Sequence, residues 1–172
     1  MHIFLKRWPY KVRYSIGCRF SFFIFVIALG VFYSATEIQA GFQLPGGTLF
    51  SRNGYDYAVS MYQEGNVQNF WWCGYGNVPG TTASTDVIYY RHYDFSTGQW
   101  SDIQTVLWPT WGTGKWDSYF TCDPSVIRGE FINPENGKAF SHAMYYSATD
   151  RSDGTNGRIG LAFSNDGINW ER

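Results

Sequence analysis

The 172-residue chain is poor in charge. Charged residues make up 16% of it, and Lys plus Arg (13) nearly balances Asp plus Glu (14). A surface without a basic field does not grip nucleic acid or an anionic lipid sheet, so neither is expected as its partner. Cysteine and histidine are scarce, with three of each. Cys73 and Cys122 are the cysteines beyond residue 40, and no histidine pair stands near them. That set does not furnish the four ligands of a structural zinc site, or the three of a catalytic one. Neither a metal nor a cofactor is expected, and His92 and His142 are taken as ordinary strand residues. A helical hydrophobic period is missing as well, which excludes a helical bundle.

Aromatic residues, by contrast, reach 20%, with 8 Trp, 13 Tyr and 14 Phe. Such residues favour strands and fill cores. Exposed in a cleft, the same rings stack on sugar faces, and the composition leaves both readings open. The N-terminal part differs from the rest. Lys6, Arg7, Lys11, Arg13 and Arg19 precede the first acid, Glu37, and residues 20–32 are almost wholly apolar. A basic stretch followed by a short apolar run is the plan of a secretory signal, with Ile38-Gln39-Ala40 as the cleavage tripeptide. The run is shorter than the roughly 20 residues of a spanning helix, though an uncleaved anchor is the other reading. Residues 1–40 are therefore expected to be a signal peptide or anchor, and residues 41–172 the working domain. The expected location is secreted, periplasmic or at the cell surface, with membrane contact only through an uncleaved leader. In such an oxidising compartment Cys73 and Cys122 are expected to pair.

Downstream, short β-branched and aromatic runs alternate with Gly-, Asn- and Asp-containing turn signals. Strands are predicted at residues 57–62, 68–73, 86–93, 104–107, 124–128, 139–146 and 158–163. The runs repeat. Asp56 and Asp123, and likewise Trp100 and Trp170, stand about 70 residues apart, a period that marks a repeat architecture. Four short strands per unit with a Trp in the last fit a propeller blade. The expected fold is all-β, with antiparallel four-stranded blades of a β-propeller over residues 52–107 and 121–172. Two long loops, 77–85 and 108–121, account for a period longer than that of common propeller repeats, and long loops on a rigid scaffold carry binding.

The run Asp123-Pro-Ser-Val-Ile-Arg-Gly129, then Ala143-Met-Tyr-Tyr146, then Ile159-Gly-Leu-Ala-Phe-Ser-Asn-Asp-Gly-Ile-Asn-Trp170, resembles one family. It is similar to the five-bladed propellers of the arabinanase, β-xylosidase and fructosidase superfamily, glycoside hydrolase family 43 above all. The match covers residues 121–172, while residues 52–107 match as a degenerate blade that lacks the Asp-Pro pair. The resemblance implies an exported glycoside hydrolase of the inverting kind, in which one carboxylate activates water and a protonated one feeds the leaving oxygen. It implies that Asp123 is one carboxyl of that set, as base or as tuner of the acid. Asp123 read without the resemblance is a turn cap. No Glu in these two blades matches the family's acid, so the chain is expected to be a part of the propeller. A carbohydrate-binding or structural propeller without catalysis is the alternative.

Strand parity puts the start of the second inner strand on one rim with the 108–121 loop and the loops after the second strands. Trp108, Trp111, Trp116, Asp117 and Tyr119 are therefore expected to bind polysaccharide or oligosaccharide there, with Asp117 accepting from hydroxyls. The 150–153 segment is expected to be a solvated loop and not a calcium site. The Asp166-Gly167 turn falls on the opposite rim and is expected to be structural, with Trp170 packing between blades.

Overall fold

The computed structural model describes residues 44–172, so the leader and its cleavage tripeptide lie outside the described residues. Eight strands follow in order: β1 (Asp56–Glu64), β2 (Val67–Asn77), β3 (Ser84–Asp94), β4 (Gln99–Trp100), β5 (Gln104–Leu107), β6 (Phe120–Ile132), β7 (Ala139–Thr149) and β8 (Arg158–Ser164). The described residues contain no helix, and every ladder is antiparallel. The all-β expectation holds, and each predicted strand overlaps an observed one. The Gly65-Asn66 turn between β1 and β2 shows why the chain reverses there. Glu64 pairs with Val67 across two residues, and Gly65 takes the positive φ of 56° that such a tight hairpin demands.

Two sheets result. In the first, β1, β2 and β3 lie in sequence order, and β4 and β5 both pair with β3 as two pieces of a fourth strand. In the second, β6, β7 and β8 lie in order, and the place of a fourth strand holds one bridge, Phe163 to Glu171. The first sheet thus has its four strands, one of them split, whereas the second has three and a bridge. Among the described residues no closed sheet forms. The 77–85 loop is shorter than expected. The β2–β3 ladder runs out to Asn77 and Ser84, and Val78 turns inward at 2% exposure. Its backbone N–H meets the Ala83 carbonyl at 2.9 Å, so the tip is a packed hairpin end.

Trp71, Ile88 and Tyr90 of the first sheet pack against Val126, Met144, Tyr146 and Ala162 of the second. Each aromatic ring buried here removes about 200 Å² from water, worth about 5 kcal/mol of gross transfer energy before entropy is subtracted. Polar ties cross the same seam. The Trp71 indole N–H donates to the Gly167 carbonyl at 2.8 Å, and the Val126 N–H donates to Ser60 Oγ at 2.9 Å. Tyr62 and His142 meet through the hydroxyl and Nε2, and burial, then the Arg128 charge, holds His142 below the usual histidine range. On its other face the first sheet packs Phe70, Trp72, Val87 and Tyr89 under Leu44, Leu49, Phe50, Trp100, Trp108 and Trp111.

The registers revise the repeat. β1 slips between Tyr57 and Ser60, and β6 slips between Cys122 and Ser125. At the first residue of each bulge a non-glycine residue takes positive φ, Ala58 at 52° and Asp123 at 48°. The structural counterpart of Asp123 is therefore Ala58, not Asp56. Asp56 has a structural task, accepting from the Trp72 indole at 2.7 Å and from Arg52.

Candidate functional site

Parity brings the starts of β1 and β6, the β2–β3 hairpin, the β5–β6 connection and the β7–β8 loop to one rim. Asp123 lies there, exposed, in the β6 bulge. The left-handed backbone of a non-glycine residue costs on the order of 1–3 kcal/mol, and such outliers gather at functional sites. Its carboxylate accepts from the Ser147 hydroxyl on the neighbouring strand at 2.6 Å. It is directed across the ladder, which differs from the turn cap weighed for it above.

A second carboxylate lines the same groove as Asp123. Asp86, near the start of β3, accepts from the Tyr55 hydroxyl and from the Tyr57 hydroxyl, the latter at 3.2 Å. Burial, then the bond to Asp86, pushes the Tyr55 phenol up to about 12. Burial and the Asp86 charge push Tyr57 up further, with Asp123 adding to the shift. Both phenols therefore stay protonated donors at neutral pH. Tyr57, Asp86, Asp123, Ser147, Gly154 and Gly157 lie along one groove of about 350 Å³. The Tyr55 ring lies 5.5 Å from Tyr57 and 6.1 Å from Tyr75. These three rings are 47%, 44% and 43% exposed, so an aromatic surface stands beside two carboxylates.

Cys73 and Cys122 form a disulfide with Cα atoms 5.0 Å apart, joining β2 to β6 at the floor of this groove. The Tyr57 hydroxyl lies 2.8 Å from the Cys122 sulfur. Cys73, Cys122 and Asp86 bring ligand atoms within 4.8 Å of one another. The sulfurs are bonded to each other, and the thiolate is the form that binds metal.

No family model, curated protein or solved structure matches this chain. The site therefore stands on its own geometry.

The residues expected to bind sugar occupy other surroundings. None of Trp108, Trp111, Trp116 and Tyr119 is exposed; all four are half-buried. Trp108 and Trp111 pack on the outer face of the first sheet, with the Trp111 ring 5.0 Å from Tyr119. Trp116 stacks on Tyr146 at 5.9 Å, in the core between the sheets. Asp117 is 2% exposed. It accepts from Thr110 Oγ1 at 2.6 Å and pairs with Arg172 at 3.1 Å. Its oxygens serve the loop's own anchorage. The ring of Trp116 and the Arg172 guanidinium border a separate cavity of about 510 Å³.

Tyr55, Tyr57, Tyr75 and Asp86 were missed by sequence reasoning. The one signal was the Tyr55-x-Tyr57 alternation entering β1, which places both rings on one face of a strand. On the opposite rim, Asp166 accepts from the N–H groups of Ile168 and Asn169 at 2.8 Å each. Burial opposes its charge, yet the Asn169 and Ile168 bonds hold its carboxyl at about 2. Trp170 packs against the core between the sheets. In the 150–153 segment Asp153 accepts from the Thr155 hydroxyl at 2.7 Å and pairs with Arg151 at 3.4 Å, which closes the loop on itself.

Proposed function

We propose that this chain is part of an exported, propeller-type, carbohydrate-active domain that engages polysaccharide or oligosaccharide at the Asp123 rim. One observation carries the reading: Tyr57 shares one groove with Asp86 and Asp123, and the exposed rings of Tyr55 and Tyr75 continue from it as an aromatic row. Flat rings supply apolar area to the face of a sugar ring, and carboxylates and phenols bond its hydroxyls. The disulfide supports an oxidising location, secreted, periplasmic or at the cell surface. In the hydrolytic form of this reading Asp123 is a carboxylate of an inverting glycosidase, acting on water or on the acid's proton affinity.

Binding without cleavage is favoured by a specific feature. Among the described residues no glutamate lines the Asp123 groove, and Glu64 and Glu171 pair with Arg128 and Lys138. Titration of the chain with xylan or arabinan oligosaccharides, followed by intrinsic fluorescence, tests both forms. Binding that weakens about tenfold in Tyr57→Ala supports the rim. No binding by the folded chain removes the proposal. If sugar is released, Asp123→Asn at an unchanged melting temperature should slow release by on the order of 10²–10⁴, the size of a general acid–base contribution.

A further inference from the structure

Two cysteines fall short of the three or four ligands of a zinc site, and the fold supplies a third ligand. Asp86 brings a carboxylate oxygen to 3.8 Å from the Cys122 sulfur. The ligand atoms of Cys73, Cys122 and Asp86 all lie within 4.8 Å of one another. Each comes from a different strand, β2, β6 and β3 in that order. A zinc ion holds thiolate sulfur at about 2.3 Å and carboxylate oxygen at about 2.1 Å. On a tetrahedral centre those lengths set sulfur and oxygen about 3.6 Å apart, close to the separation already present. The two sulfurs would stand about 3.8 Å apart. Their Cα atoms are 5.0 Å apart, so side-chain rotation reaches that spacing once the bond between the sulfurs is broken.

The surroundings suit a ligand set. Asp86 accepts from the Tyr55 and Tyr57 hydroxyls, and the Tyr57 hydroxyl also lies against the Cys122 sulfur. Hydrogen bonds of this kind orient metal ligands and hold them on the ion. Both cysteines are buried and Asp86 is half-buried, so an ion between them is largely shielded from water. Asp86 and Cys122 nevertheless border the groove of about 350 Å³, which gives an entry path and leaves a fourth coordination position facing it. Asp123 on the same groove adds a negative charge that favours a dication.

We infer that reduction converts the Cys73–Cys122 disulfide into a site for a thiophilic divalent cation, Zn²⁺ or its analogue Cd²⁺, held by Cys73, Cys122 and Asp86. A dithiol reductant delivers two electrons and two protons to the S–S bond and is itself oxidised to a disulfide. The two thiols lose their protons to solvent as the ion binds, so two thiolates and one carboxylate are the ligands. Thiolate ligands select Zn²⁺ over Mg²⁺ and Ca²⁺. The two states exclude each other, because sulfurs bonded to one another have no thiolate to give. Thiols persist in a reducing compartment and disulfides in an oxidising one, so the metal state belongs to the first and the cross-linked state to the second.

Titration of the full chain with Cd²⁺ tests the inference, read by the ultraviolet charge-transfer band of cadmium thiolate. Cys18→Ser is carried throughout, so that the thiols counted are Cys73 and Cys122. The chain is compared untreated and after reduction by a phosphine that is removed before the titration. The reduced chain should bind one Cd²⁺ and the untreated chain none. Cys73→Ser should abolish the band, and Asp86→Asn should weaken binding by about tenfold or more. Zn²⁺ at about a hundred times its Kd should raise the melting temperature of the reduced chain by about 8–11 °C. Zn²⁺ should also slow the return of the disulfide under air. Far-UV circular dichroism follows the fold in every arm. Several results overturn the inference. One is a folded, reduced chain that binds no metal. Another is equal binding by the untreated chain, as surface carboxylates would give. A third is an Asp86→Asn variant of unchanged affinity, as two thiols alone would give. The last is a reduced chain that unfolds and that Zn²⁺ does not restore.

Discussion

Reduction of the Cys73–Cys122 disulfide is the perturbation with the clearest expected size. The bond joins β2 of one sheet to β6 of the other across a sequence separation of 49 residues. Closing a loop of that length in the unfolded chain removes about 14 cal/mol/K of entropy, or about 4 kcal/mol at 25 °C. Cys73 is fully buried and Cys122 is 6% exposed, so the reduced sulfurs remain packed and the loss falls mainly on the unfolded ensemble. For a domain of this size each kcal/mol moves the melting temperature by about 3–4 °C, so reduction should lower it by about 12–16 °C. The assay is thermal unfolding by circular dichroism of the oxidised chain and of the same chain under a dithiol reductant. Cys73→Ala with Cys122→Ala serves as a second form without the link. A shift under about 3 °C, or Cys73 and Cys122 both found as free thiols in the untreated folded protein, would refute the reasoning. The same experiment read at the rim should show weaker oligosaccharide binding on reduction, because the link holds β6, and with it Asp123, against β2.

Two further expectations follow from single residues. A Cβ added at Gly160 would lie 2.5 Å from the Tyr146 ring and 2.6 Å from Trp116. Gly160→Ala should therefore cost about 1–3 kcal/mol as overpacking, and an unchanged denaturant midpoint would show that the two rings give way freely. Tyr55 should ionise near 12 in the folded state, against an ordinary value of 10.0. Its folded pKa is raised, so its contribution to stability is fully present below pH 10 and is lost as pH rises through about 12. Absorbance titration against Tyr55→Phe measures this. Asp86→Asn should move the midpoint down, and a Tyr55 midpoint at 10 in the wild type would contradict the bond to Asp86.

The strands were legible in the chain because their cause is local. β-Branched and aromatic runs broken by Gly, Asn and Asp suit a pleated surface, and residues 104–107 were located to the residue. The cysteine pair was legible because the chain beyond residue 40 holds two thiols, each with one choice of partner. Position on a rim was legible from parity alone, since alternate connections of an antiparallel meander fall on the same side, and Asp123 lies where parity put it. The choice among aromatics was not legible. Trp71 is core while Tyr57 is exposed, although both lie on strands, because burial depends on which face of a sheet another sheet covers. The Trp-rich loop suggested a sugar site by its composition; its Trp rings are half-buried and pack against the two cores.

The sequence by itself determined that this is an antiparallel β protein with a cross-link and an acidic residue near the start of β6. Tertiary structure alone decided what surrounds that residue. The two bulges reset the register, so that Asp123 corresponds to Ala58, and only pairing across strands shows such a slip. Tyr55 and Asp86 stand 31 residues apart in the chain, and Tyr57 and Cys122 stand 65 apart. Their meeting is made by β2 and β3 lying side by side and by the second sheet docking on the first. A hydrogen bond depends on distances of about 3 Å, whereas periodicity and turn chemistry act over a few neighbouring residues.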